Sequence, residues 1–221
     1  MTRARLTFAL ALVVLAGLAP ASAQAKRSPC NPRGSQTVLA NDEVRIYFLH
    51  HNDWACAYAN GRRFEIGRGS EFFADGSYNL EHLQLVGTKV AYVISWDGVD
   101  YTVGEVWLRD VKKGRFLLKG VSPVVREAAC APGDGRNVDS LVLAPKGRVA
   151  WGTSYSCAPG IASYRQEIVA FKPGGRPRLL DSAAADEPVG PVLGSGSVGL
   201  AENGDRAYWM HDDTTPRSAE L

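Results

Sequence analysis

The chain has 221 residues, 25 Lys and Arg against 23 Asp and Glu, and 45% of its residues are apolar. That length and composition suit one globular domain with a substantial core. The near balance of charge excludes the basic footprint of a nucleic-acid binder, and no run of like charge marks a surface for anionic membranes.

The chain opens on "MTRAR", continues with an apolar stretch from Leu6 to Pro20, and reaches "ASA" just before Gln24. A short basic start, an apolar stretch shorter than the ~20 residues of a spanning helix and a small-residue site read as a secretory signal. Residues 1–23 are therefore expected to be removed after Ala23, with no membrane insertion afterwards. Residues 24–221 are expected to form a single secreted or periplasmic domain. Loss of Arg3 and Arg5 leaves 23 basic and 23 acidic residues, a net charge of zero. No Cys follows the cleavage site, so a lipid anchor is not expected.

From here on the chain repeats itself. The first copy runs "TVLA", the turn "NDE", then "VRIYFL", "WACAYA" and "GRRFEIG". The second runs "LQLV", "GT", "KVAYVIS", "VGEVWLRD" and "KKGRFLLKG". The third runs "LVLA", "PKG", "RVAWGTS", "RQEIVAF" and "PGGRPRLLD", and the fourth "VGLA", "ENGD", "RAYWM" and "SAEL". Short β-rich runs separated by Gly, Asn, Asp and Pro turns predict antiparallel hairpins, and four in succession predict a four-stranded meander. The copies align on Tyr47, Tyr92, Trp151 and Tyr208, at spacings of 45, 59 and 57 residues. Outside the signal no segment has helical periodicity. A meander repeated at this interval is the unit of a β-propeller, so the expected fold is all-β: a propeller-like array of about four antiparallel meanders, the last incomplete because it ends in its third run. A β-sandwich is the alternative, but it gives no reason for a motif to recur at this spacing.

The stretch "SLVLAPKGRVAWGTS", followed by "RQEIVAFKPGGRPRLLD", resembles the propeller repeat of the periplasmic TolB family and its WD-like relatives. That repeat has a Ser-Pro-Asp-Gly turn, a Glu-Ile-aliphatic strand and an Arg-Leu ending. Here the turns are "APKG" and "AENGD", so the Asp is missing or displaced. The resemblance implies a fold, and much less an activity.

Four cysteines, an even number in an exported chain, imply disulfides rather than a metal site, since no Cys-x-x-Cys spacing occurs. Cys30 and Cys130 precede the first strand of copies one and three, and Cys56 and Cys157 follow the second strand. The expected pairs are Cys30–Cys56 and Cys130–Cys157, each on the face that carries the loops between second and third strands.

That same face is where the alignment gathers polar and aromatic residues. His50, Ser95, Ser154 and His211 are equivalent positions, followed by His51, Trp96, Tyr155 and Asp212, with Asp53, Asp97, Asp100 and Asp213 close by. "HHND" and "HDD" hold ligand types for a divalent metal but match no metal motif, so no metal or cofactor is expected. "DGRNVD" (134–139) lacks the terminal Glu of an EF-hand loop and reads as a polar turn. "GSGSVG" (194–199) has the letters of a dinucleotide loop but runs into a strand, not a helix. Neither a G-x-S-x-G elbow nor an H-E-x-x-H pair is present. The expected function is a non-enzymatic binding module for a protein or surface polymer, using the face of His50, Trp96, Tyr155 and His211. The alternatives are a metal-assisted hydrolase or lyase working through the His and Asp residues, and a partial homologue without a function of its own.

Overall fold

The computed structural model describes residues 28–68, 71–73, 76–98, 102–122, 135–156, 164–185, 198–211 and 215–221. Among them there is no α-helix; the chain forms sixteen strands, which fall into four consecutive antiparallel meanders. The first is β1 (Gln36–Ala40), β2 (Val44–Leu49), β3 (Asn52–Ala57) and β4 (Arg63–Arg68). The second is β6 (Gly76–Val86), β7 (Lys89–Gly98), β8 (Thr102–Asp110) and β9 (Arg115–Val121), with the short β5 (Glu71–Phe73) added beside β6. The third is β10 (Arg136–Ala144), β11 (Arg148–Ser156), β12 (Tyr164–Phe171) and β13 (Arg178–Ala185), and the fourth is β14 (Gly199–Leu200), β15 (Arg206–His211) and β16 (Thr215–Glu220). One parallel pair, Arg136 with Val103, joins β10 to β8, so the second and third meanders count as one nine-stranded sheet. Among the described residues no sheet closes into a barrel.

The meanders pack face to face, and side-chain alternation along each strand supplies both faces. On β7, Val90 and Tyr92 enter a core with Val44, Ile46 and Ala55 of the first meander. Ala91 and Val93 enter a core with Leu141, Val149 and Trp151 of the third. On β12, Val169 and Phe171 join that second core, while Ile168 and Ala170 join a third core with Ala207 and Trp209 of the fourth meander. Runs such as "KVAYVIS" are apolar on both faces because both are covered.

The repeated aromatic has one structural role. Tyr92 points from the second meander toward the first, Trp151 from the third toward the second, and Tyr47 from the first toward the lead-in segment. In the fourth copy the alignment on Tyr208 is corrected: Trp209 is 6% exposed and faces the third meander, whereas Tyr208 is 46% exposed. The turn "ENGD" has one residue more than "PKG", and with a period of two, one added residue exchanges the faces.

The lead-in covers the outer face of the first meander. Cys30 and Cys56 are bonded, as expected. Cys56 lies opposite Arg45, near the β1–β2 turn, so the bond fastens the lead-in to the sheet face and not to the β2–β3 loop. Arg45 secures it further, donating to the Cys30 carbonyl at 2.6 Å, Asn31 at 3.1 Å, Ser35 at 3.0 Å and Thr37 at 2.9 Å. A buried guanidinium is tolerated because its donors are met. Cys130 and Cys157 lie outside the described residues.

Successive first strands also touch. The His82 ring nitrogen Nε2 lies 2.8 Å from the Val138 carbonyl, and the Val198 amide donates to Ser140 Oγ at 3.1 Å. β1, β6 and β10 each carry an irregularity in the register, at Thr37/Leu39, Glu81/Gln84 and Val138/Ser140. Such bulges bend a strand and turn its side chains toward a neighbour.

Candidate functional site

His50 and His51 form the two-residue turn between β2 and β3, closed by the Leu49–Asn52 pair. Their φ values are 50° and 65°, a conformation that hairpins of this length usually give to Asn and Gly. A non-glycine residue there costs about 1 kcal/mol. Both histidines are exposed, and the His51 ring stands edge-on to Phe48 with centroids 6.4 Å apart.

The other expected site residues are not loop residues. β7 continues to Gly98 and β11 to Ser156, so Ser95, Trp96, Asp97, Ser154 and Tyr155 sit in strands, and His211 ends β15. Neighbours in a strand point to opposite faces, which divides the expected cluster among the inter-sheet gaps. Trp96 shares the Tyr92 and Ile94 face and looks toward the first meander. Asp97 shares the Val93 face and looks toward the third, accepting from Asn79 Nδ2 at 2.6 Å. Tyr155 is buried on the Trp151 face and donates to Glu167 at 3.1 Å; burial, then the Glu167 carboxylate, pushes its pKa up to about 12. His211 belongs to the junction of the third and fourth meanders. Its Nδ1 is 3.0 Å from Asp181, which also accepts from Trp209 Nε1 at 2.7 Å and lies 3.5 Å from Arg217.

Ser95 and Ser154 are equivalent in the structure as in the alignment, but their common role is to tie strands. Each donates at 2.8 Å to a carboxylate on the first strand of its own meander, Glu81 and Asp139 respectively. "DGRNVD" is therefore corrected from a turn to the start of β10, for residues 136–139. Burial raises the Asp139 pKa, against the Ser154 hydrogen bond and the nearby His82. Asp100, Asp212 and Asp213 lie outside the described residues, among which no three His, Cys, Asp or Glu side chains converge as a metal site.

What the structure does assemble is a groove of about 430 Å³ between the first two meanders. One wall is β4, with Glu65, Ile66 and Gly67; the other is the face of the second meander, with Tyr78, Leu80, Tyr92, Ile94, Trp107 and Phe116. Gly67 permits the close approach, since a Cβ there would meet Leu80 at 3.2 Å. Tyr92 and Trp107, paired across β7 and β8, hold their rings parallel within 7° at 6.3 Å. Burial pushes the Tyr92 pKa up to about 12, against the Arg109 charge. At one end Arg109 sits over Phe64 at 4.2 Å and Phe116 at 4.0 Å. At the other, Tyr78 packs on Trp96 with centroids 4.5 Å apart and remains 44% exposed.

Two residues of the expected site adjoin residues that line the groove without lining it themselves. Trp96 carries Tyr78, and Asp53, on the Ala55 and Ala57 face of β3, lies across the ladder from Gly67. Asp53 is 9% exposed and makes no hydrogen bond or ion pair among the described residues; burial alone raises its pKa. Sequence reasoning missed Tyr78, Trp107 and Phe116. The alternation Tyr92, Ile94, Trp96 was the available signal, since it marks one aromatic face of a strand.

Fold and site together define an all-β protein of stacked antiparallel meanders with an aromatic groove between the first two. No family model, curated protein or solved structure matches the chain, so its likeness to the TolB-type repeat rests on the repeat residues alone. Its disulfide is the chemistry of an oxidising compartment, and no helix among the described residues is long and apolar enough to cross a membrane.

Proposed function

We propose that this protein is a non-enzymatic binding module, exported to the periplasm or the cell exterior and arranged in the manner of a β-propeller. Its ligand is a protein or a surface polymer, anchored in the groove beside Trp96 and Tyr78. The groove is the observation that carries this reading. It is concave, lined mainly by aromatic and aliphatic groups with few polar ones, and held between two disulfide-braced or fully packed sheets, the usual makeup of a binding pocket. Preformed walls lower the ordering cost of binding, and aromatic anchors supply most of the energy. The propeller-like arrangement is favoured by three aromatics pointing in one direction along the stack, by Trp209 continuing the series, and by the contacts between successive first strands.

The test is retention on immobilised protein of exported proteins and, separately, of insoluble surface polymer. Wild type and Tyr78→Ala are compared side by side. The proposal expects the retained species to be lost from the variant at unchanged melting temperature, because Tyr78 is exposed. Full retention by Tyr78→Ala would remove the groove as the anchor.

A further inference from the structure

We propose that the turn face of the first three meanders carries a second binding site, separate from the groove, for a small anion bearing two or more phosphate groups. Three turns surround a hollow of about 420 Å³ there. Lys89 comes from the end of the β6–β7 turn, Lys112 and Lys113 from the β8–β9 turn and Lys146 from the β10–β11 turn; the acids of the lining are Glu43 and Asp110. Lys89 opens β7, seven residues before Trp96. At about 3.3 Å per residue the hollow stands roughly 23 Å from the Trp96 end of the groove.

Three observations converge. First, charge is locally unbalanced in a chain whose total is near balance. Asp110 is buried and already engaged, with Lys89 Nζ 3.7 Å away and the Lys113 amide donating to it at 3.0 Å. The side chains of Lys112, Lys113 and Lys146 are exposed and make no hydrogen bond or ion pair among the described residues. Glu43 is the one other acid set against them. A concave surface lined by one sign of charge concentrates the opposite ion. Second, the turns that present the lysines are fastened to one another. Asn60 Nδ2 donates to the Lys112 carbonyl at 2.9 Å and Arg62 Nη1 to the Lys113 carbonyl at 3.3 Å. Asn41 Nδ2 donates to the Gly87 carbonyl at 3.0 Å, and the Val111 amide to the Thr88 carbonyl at 2.9 Å. Walls held in this way need little ordering when a ligand arrives. Third, Lys146 has a φ of 67°, where glycine would sit without strain. Residues kept in such a conformation cluster at ligand sites.

Lysine sets the ligand class. Its ammonium is a compact point charge with three donors on a flexible stem, suited to the several oxygens of a phosphate, and it lacks the planar fork that grips a single carboxylate. Several such charges around one small hollow match a compact, multiply charged phosphate compound; a neutral sugar or an apolar peptide gains nothing from them.

Tripolyphosphate is the probe, titrated calorimetrically into the purified protein at low and at physiological ionic strength. The proposal expects saturable one-to-one binding that weakens with salt. Affinity should fall at least tenfold in the triple variant Lys112→Gln, Lys113→Gln, Lys146→Gln, whose fold is checked by circular dichroism. Lys146→Gly relieves the backbone strain, so it should bind more weakly while melting no lower than the wild type. Lys172→Gln with Arg176→Gln, on the β12–β13 turn outside the hollow, should leave the affinity unchanged. An equal loss in that control would mean attraction to any surface cation and overturn the site, as would the absence of binding at low salt. Binding to phosphatidylglycerol vesicles that needs the three lysines, without binding of tripolyphosphate, would overturn the small-ligand site in favour of a membrane surface. Tyr78→Ala should bind tripolyphosphate as the wild type does, so this site and the groove stand or fall separately.

Discussion

Replacing Asp53 by Asn should stabilise the protein at neutral pH. The Asp53 residue is 9% exposed and makes no hydrogen bond or ion pair among the described residues, and burial holds its pKa above the ordinary value of 3.8. Its oxygens are not among the buried atoms left without a partner, so the cost lies at the low end of the range for such groups, about 1 kcal/mol. An amide has similar volume and no charge, so most of that cost should vanish in the variant. For a domain of this size 1 kcal/mol moves the melting temperature by about 2–4 °C, which is the rise expected at pH 7. The direction with pH follows from linkage. The folded state holds this proton more tightly than the unfolded state, so the wild type is penalised in full above the raised folded pKa. The penalty shrinks as pH falls through that value and is gone below the unfolded value of 3.8. Thermal unfolding of both proteins from pH 3.5 to pH 8 should therefore show curves that separate with rising pH. Other acids titrate in this range too, but they act on both proteins and cancel in the difference. A variant that is less stable at pH 7, or a difference independent of pH, would refute the reasoning and mean that Asp53 has a structural partner.

Other substitutions test other parts of the account. Trp209→Ala should cost about 3–5 kcal/mol, as expected for a buried aromatic, and Tyr208→Ala less than 1 kcal/mol; denaturant unfolding that reverses this order would restore the alignment on Tyr208. Removing the Cys30–Cys56 bond by a double change to Ala should cost about 3.5 kcal/mol by the chain-entropy relation for a loop of this length, seen as a melting temperature lower by roughly 7–14 °C. Changing His50-His51 to Asn-Gly should stabilise by about 1 kcal/mol in the same assay, because both φ values are positive. Tyr92 and Tyr155 keep their protons to about pH 12 when folded, so stability should fall from pH 10 upward, and the 295 nm absorbance should show two late-titrating tyrosines.

The repeat made the strand order legible. Apolar runs bounded by Gly, Asn, Asp and Pro turns located the four meanders, and the cysteine positions located the one bond seen among the described residues. Strand ends were less legible, because Ser95-Trp96-Asp97 and Arg136-Asn137-Val138-Asp139 are polar enough to read as loops. They are strands because the ladder continues through them: Ser95 and Ser154 meet carboxylates on the adjoining strand, so their polarity is satisfied inside the sheet. That misreading is what merged Trp96 and Asp97 into one surface, when a pleated strand must send them to opposite faces. The one-residue shift at Trp209 came from a turn length, visible in "ENGD" but not interpretable without the register. The groove was not legible as a site, because Tyr78, Tyr92, Trp107 and Phe116 come from four strands and meet only through the packing of one meander on another.

Hydrogen–deuterium exchange with and without the retained partner tests the central claim, that ligand enters between the first two meanders, most directly. The account predicts slowed exchange in Arg63–Gly67 and Gly76–Leu80, with Lys112, Lys113 and Lys146 at the opposite turns unchanged. Slowed exchange at those three lysines, with β4 and β6 unaffected, would contradict it.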